Sequence, residues 1–164
     1  MLPALSPIAK SLILISAANV APVGLKLFLS HRLSAPVDGG LAWRDGRRLL
    51  GPSKTWRGLA VGVLFPACLS PLIGLSWLAG ASAGAAAMAG DCLSSFVKRR
   101  MGLQSSGMAL GLDQVPEALL PALCMRAYVE LSLIDIGVIA LVFSVGALAL
   151  SPVFFRLGLR ERPY

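Results

Sequence analysis

The chain has 164 residues, of which 56% are hydrophobic and only 14% charged, and its mean hydropathy is +0.76. A soluble domain of this length cannot hide that much apolar surface, whereas apolar stretches of about 18 residues or more match the ~30 Å hydrocarbon core of a bilayer. Composition therefore predicts an all-α, polytopic transmembrane helical bundle forming a single membrane domain, 1–164. The net charge of +7, from 15 Lys and Arg against 8 Asp and Glu, fits anionic headgroups or a phosphate-rich ligand. It does not fit a nucleic acid, because the basic residues abut apolar segments rather than forming a tail or an aromatic-interleaved module.

Five spans are expected. The first, 5–29, carries Lys10 near its start and Lys26 near its end and lacks a small-residue cleavage site followed by a soluble domain, so it reads as a span and not as a signal peptide. A polar loop rich in Gly, Asp and Arg follows over 31–57. Residues 59–90 contain no charge, which is too long a run for one crossing. It must fold back near Pro71 and Gly74, giving a second helix over 58–73 and a third over 76–97. A second polar loop covers 98–112. A fourth span, 113–131, contains Glu117, Arg126 and Glu130, and a fifth, 136–155, runs into a basic tail with Arg156, Arg160 and Arg162. The two loops and the tail hold 12 of the 15 basic residues, which predicts an outside N-terminus and a cytoplasmic C-terminus. Arg32, Arg48, Arg156, Arg160 and Arg162 are read as setting this topology only. Cys68, Cys92 and Cys124 have no CxxC spacing and His31 is the sole histidine, so zinc and disulfides are not expected; the cysteines read as small side chains packed between helices.

Chemistry is expected where charge meets apolar helix. In Gly90-Asp91-Cys92-Leu93-Ser94-Ser95-Phe96-Val97-Lys98-Arg99-Arg100 an acid closes a helix otherwise rich in Ala and Gly, and intramembrane carboxylates are costly unless they serve a function. The i, i+4, i+7 spacing puts Asp91, Ser95 and Lys98 on one face, with Asp91 about 10 Å from Lys98 along the axis, so one stripe offers a metal ligand, a hydroxyl and a cation. Gly51-Pro52-Ser53-Lys54-Thr55-Trp56-Arg57-Gly58 has a glycine for close backbone approach, and Lys54, Thr55 and Arg57 as donors at a helix N-terminus. It reads as a phosphate cradle, though not a P-loop, with Trp56 as an interfacial anchor. Asp113 is open to two readings, an N-cap ahead of Pro116 or a second carboxylate that, with Asp91, holds Mg²⁺. Asp38-Gly39-Gly40 and Asp45-Gly46 read as turns. Two acids and several cations without an available histidine or cysteine suit phosphoryl or nucleotidyl transfer, where an already ionised phosphate monoester needs no protein nucleophile.

These strings, GPSKTWRG, GDCLSSFVKRR and GLDQVPE in that order, resemble the CDP-archaeol synthase family and, more distantly, the CDP-diacylglycerol synthases (phosphatidate cytidylyltransferases). The resemblance extends to Ala18-Asn19-Val20-Ala21-Pro22-Val23 and to Pro36-Val37-Asp38-Gly39-Gly40. It implies an integral membrane enzyme that transfers CMP from the co-substrate CTP to the phosphate of a membrane lipid, with Mg²⁺, at a site facing the cytoplasm. Carried over by motif, Lys54, Thr55 and Arg57 match the first string, Asp91, Ser95, Lys98 and Arg99 the second, and Asp113 the third, with Gly51 in the cradle and Asn19 at a polar position of the first helix. Gln104-Ser105-Ser106-Gly107, then Leu112-Asp113-Gln114, stand where the diacylglycerol-type pattern has a Lys-Asp pair, a His-Gly-Gly turn and LDR, which favours the archaeol-type branch. The acceptor stays open between an archaeol-phosphate-like and a phosphatidate-like lipid, and nothing in the sequence bears on oligomeric state. The competing readings are a non-catalytic module binding anionic lipid or a partner protein, which gains nothing from buried acids, and a transporter, which wants paired broken helices at midplane.

Overall fold

The computed structural model describes residues 5–29, 34–103 and 111–156, except the side chains of 26–28 and 154. His31, Arg32, the Gln104-Ser105-Ser106-Gly107 segment, Arg160 and Arg162 lie outside the described residues. Within them the chain is all-helical: α1 Pro7–Leu29, α2 Trp56–Leu69 continued by a 3₁₀ turn Ser70–Ile73, α3 Trp77–Arg100, α4 Gln114–Met125 and α5 Leu133–Arg156.

Local chemistry sets the helix starts. Ser6 Oγ accepts from Ala9 N (3.2 Å) just ahead of Pro7, Thr55 Oγ1 from Gly58 N (3.3 Å) and Ser76 Oγ from Ala79 N (3.2 Å), each satisfying an orphan amide of a first turn. Ser132 and Asp135 cap each other reciprocally at α5, Ser132 N to Asp135 Oδ2 2.8 Å and Asp135 N to Ser132 Oγ 3.1 Å, so α5 begins before the expected residue 136. The expected fold-back is the 3₁₀ turn, closed by Gly74 at φ +73°.

Helix α3 is the hub, packed against α1, α2 and α4, and this accounts for its Gly and Ala content. A Cβ on Gly80 would come within 2.1 Å of Pro66 O and one on Gly84 within 2.5 Å of Gly62 O, both in α2, while one on Gly90 would meet Pro116 O of α4 at 2.3 Å. Small residues let backbones approach where lipid gives helices no hydrophobic reason to associate. A larger apolar cluster joins α1, α3, α4 and α5 through Leu14, Ile15, Ala83, Ala122, Met125 and Ile139. Leu133, Ile134 and Leu141 of α5 are left exposed on the outside.

Among the described residues three helical stretches are long and apolar enough to cross a membrane: Pro7–Leu25, Trp56–Ile73 and Leu133–Val153. Where a fourth span was expected over 113–131, the structure has a shorter helix, α4 Gln114–Met125. Helix α4 has 12 residues, about 18 Å at ~1.5 Å each, short of a ~30 Å core. After Met125 the chain turns, with Arg126 N donating to Leu123 O and Tyr128 N to Met125 O, and Leu131 is buried in the core rather than extending α4. Two further expectations change. Lys98, Arg99 and Arg100 form the last turn of α3 instead of opening a loop, and Cys68 is exposed rather than packed between helices.

Candidate active site

The loop between α1 and α2 is folded around one carboxylate. The fully buried Asp38 side chain accepts from Gly40 N (3.0 Å), Leu50 N (3.2 Å) and Gly51 N (2.9 Å) and from Arg48 through Nη2 (2.5 Å) and Nε (3.3 Å). The Asp38 turn is therefore more than a turn: it holds the start of the GPSKT segment, where Gly51 takes φ +98°, a conformation suited to glycine. Arg48, expected to set topology alone, is corrected to a structural partner of Asp38. Burial by itself would raise the Asp38 carboxyl, but Arg48 and the three amides outweigh it and hold the group well below the usual carboxylate range. A lowered native pKa means stability that is full above the unfolded value, near 4, and is lost progressively as pH falls from there through the native value. At neutral pH, Asp38→Asn is expected to cost about 1.5–3 kcal/mol of loop stability, read as faster hydrogen exchange at Leu50 and Gly51. Unchanged exchange would remove Asp38 as the organiser.

Two arginines lock this loop to the end of α3. Arg47 Nη1 donates to Arg100 O (2.8 Å) and Arg99 O (3.4 Å), satisfying terminal helix carbonyls, while Arg100 reaches back to Arg48 O (2.6 Å), Arg47 O (3.2 Å) and Asp45 Oδ1 (2.6 Å). Phe96 sits beneath, edge-on to Trp43 with centroids 5.7 Å apart and 5.1 Å from the Arg100 guanidinium. The docking leaves a cleft of about 310 Å³ lined by Arg47, Arg48, Gly51, Pro52, Arg99 and Gly102, among others. Buried Arg99 Nε has no hydrogen-bond partner among the described residues.

Beside the cleft, loop and helices bring opposite charges together in a largely apolar bundle. Lys54 Nζ lies 2.5 Å from both Asp91 carboxylate oxygens, and Lys98 Nζ lies 2.7 Å from Asp113 Oδ1. All four side chains are about one-fifth exposed or less. Lys98 also lies within electrostatic range of Asp91, and Glu117 within range of both Asp91 and Asp113. Asp113 stands at the N-cap position of α4 but makes no capping bond; its carboxylate goes to Lys98 instead.

The remaining expected site residues have simpler surroundings. Thr55 caps α2, Arg57 is half-buried in that helix's first turn, Ser95 is buried on the inward face of α3, and Trp56 is 60% exposed. Asn19 Nδ2 donates to Ile15 O one turn back in α1 (2.9 Å), a local bond rather than a link to another helix. Sequence reasoning gave Glu117 no role, read Asp45 only as a turn and missed the Arg47–Arg100 clamp. Glu117 had one available signal, an acid within an apolar run four residues after Asp113.

Charged side chains are thus buried at one end of a helical bundle, under a folded basic loop. The fold matches the solved structure of an intramembrane enzyme for archaeal membrane lipid biosynthesis with a TM-score of 0.70 and 29% identity, covering 85% of this chain and 89% of that one. The model of the CarS-like CDP-archaeol synthase family matches residues 8–79 and 78–164. Among relatives, the CDP-archaeol synthase of Hyperthermus butylicus is 41% identical over 119 residues, 68% of each chain. That of Methanopyrus kandleri is 42% identical over 114 residues (66% of this chain, 64% of that protein), and that of Thermococcus kodakarensis 43% over 95 residues (49% and 53%). The matched stretches thus span about half to two thirds of the relatives' length. The chain belongs to the CDP-archaeol synthase family, membrane cytidylyltransferases that use CTP.

Proposed function

We propose that this protein transfers CMP from CTP to the phosphate of an archaeol-type membrane lipid and releases pyrophosphate, at a site on the cytoplasmic face formed by the first loop and the adjoining ends of α3 and α4. The observation that carries this reading is the pairing Lys54–Asp91 and Lys98–Asp113. Two acids kept in a bundle this apolar cost free energy that a module merely binding anionic lipid has no reason to spend.

In the proposed reaction an oxygen of the lipid phosphate attacks the α-phosphorus of CTP, forming a new P–O bond, while the bond from that phosphorus to the bridging oxygen of the β-phosphate breaks and pyrophosphate departs. The attacking phosphate monoester is largely ionised near neutral pH, so positioning and charge neutralisation are what the protein must supply. Lys54 and Lys98 exchange their carboxylate partners for phosphate oxygens. Arg99, with an unpartnered Nε in the cleft, takes another, and Arg57 adds charge at the N-terminus of α2, where the helix dipole favours an anion.

Asp91 and Asp113 fit a divalent cation of the Mg²⁺ type, which is commonly held by one or two carboxylates together with substrate phosphates. When bound, such a cation supplies Lewis-acid neutralisation of charge on the triphosphate. Purified protein given Mg²⁺, labelled CTP and a panel of phosphorylated ether and ester lipids is expected to form a CDP-lipid, fastest with the isoprenoid ether acceptor, with one pyrophosphate per product. No product with any lipid would overturn the reading; preference for phosphatidate would overturn the acceptor.

A further inference from the structure

The inward face of α3 carries Asp91, Ser95 and Lys98, and the opposite face is apolar and open. Ala85, Ala89 and Leu93 are exposed there, and helical periodicity sets Phe96 on the same stripe, turned away from Asp91. Where the stripe reaches the end of α3 the first loop lies over it, with Trp43 edge-on to Phe96 at 5.7 Å between ring centroids. Trp43 belongs to a short hairpin in which Ala42 pairs with Arg48, Trp43 N donates to Arg47 O (2.7 Å) and Leu49 N to Leu41 O (2.9 Å). Alternation along an extended strand puts Leu41 on the same side as Trp43. Both stay open, Leu41 64% and Trp43 48% exposed, and Arg44 at the hairpin tip is exposed as well.

Depth and continuity say what covers this side of the hairpin. Gly80 of α3 meets Pro66 of α2 and Gly84 meets Gly62, an antiparallel register that sets Trp56, at the start of α2, level with Gly90. Phe96 lies six residues further along α3, about 9 Å. The span Trp56–Ile73 has 18 residues, about 27 Å against a ~30 Å hydrocarbon core, so Phe96 and Trp43 stand past the hydrocarbon edge, at the level of the roughly 5–8 Å polar layer. An amphipathic indole favours that layer, and an arginine beside it is drawn to anionic headgroups. The apolar side of the hairpin also continues the open stripe of α3, which runs beside the span α2. We propose that hairpin 41–49 is a membrane-surface anchor, with Leu41 and Trp43 in the headgroup layer and Arg44 on anionic lipid. Arg47 and Arg48 of the same hairpin line the cleft, so the anchor holds one wall of the cleft at the height of lipid phosphates. The anchor does not depend on the reaction proposed above.

The test uses tryptophan fluorescence of the full chain, whose three tryptophans are Trp43, Trp56 and Trp77. Trp56→Phe with Trp77→Phe leaves Trp43 as the reporter, in phosphatidylcholine–phosphatidylglycerol vesicles with bromine placed near the headgroup end or near the methyl end of the acyl chains. Should that variant fail to fold, the difference between wild type and Trp43→Phe isolates the same signal. Trp43 is expected to be quenched at least about twofold more by the shallow label than by the deep one, and weakly by aqueous iodide. Leu41→Asp combined with Arg44→Glu should lose the shallow quenching and gain quenching by iodide, with the helical circular dichroism unchanged. Free quenching by iodide and none by either label would overturn the proposal and leave the face to water or a soluble protein. Unchanged shallow quenching in the Leu41→Asp, Arg44→Glu variant would overturn it too, by showing that packing on Phe96 alone sets the position of Trp43.

Discussion

Asp91→Asn is expected to lower CDP-lipid formation by about three orders of magnitude, the scale on which several kcal/mol of transition-state charge stabilisation appear in a rate, while the helical bundle stays intact. The substitution keeps the shape of the side chain and its ability to accept from Lys54, so the packing around Gly90 has no reason to change. What it removes is the negative charge, which is what a divalent cation and the Lys54 ammonium both answer. Initial rates at saturating Mg²⁺, with circular dichroism and size-exclusion elution as the check on folding, decide the matter. Activity within a few-fold of wild type in a folded variant would exclude Asp91 as the metal-binding carboxylate and leave the Lys54 contact with a structural role alone.

Lys54→Met tests the other half of the pair and separates two effects that Asp91→Asn leaves merged. Removing one member of a buried ion pair strands the other, at a cost of about 3–5 kcal/mol when burial is complete; at about one-fifth exposure the lower end of that range applies. Lys54→Met is therefore expected both to lower the melting temperature and to abolish turnover, because the cation that would meet the triphosphate is gone. Adding Asp91→Asn to it removes the stranded charge. The double variant should recover most of the lost stability and none of the activity. A double variant as unstable as Lys54→Met would show that the lysine stabilises the loop by some route other than Asp91, and an active Lys54→Met would remove it from phosphate binding.

How much of this was readable beforehand differs between the two halves of the site. Asp91 and Lys98 share a helix, so their common face follows from 3.6-residue periodicity alone, and the structure finds Lys98 buried with Ser95 on the inward side of α3. The turn at Pro71 and Gly74 was legible for a related reason: a charge-free run longer than a bilayer must reverse where Pro and Gly permit it. Asp113 divided two local readings, and only the contact with Lys98 and the missing cap bond set the capping one aside, because an Asp before a helix looks the same whether it caps an amide or meets a lysine from another element. Arg48 was misjudged for the opposite reason. Nothing in the spacing of Asp38 and Arg48 distinguishes an ion pair that organises a loop from an arginine that only biases insertion.

By itself, the sequence determined that this is a helical membrane protein, where its helices begin and reverse, and which polar residues stand out against an apolar background. These are properties of single segments: hydrophobic length, caps, and the desolvation cost of a charge in hydrocarbon. The tertiary structure alone decided which charges meet. The closeness of α3 to α2 and α4, permitted by Gly80, Gly84 and Gly90, brings Glu117 to Asp91. Docking of the first loop on the end of α3 by Arg47 and Arg100 seats the loop that carries Lys54. Such pairings join residues dozens of positions apart, and their energies depend on distance and burial that no local pattern encodes.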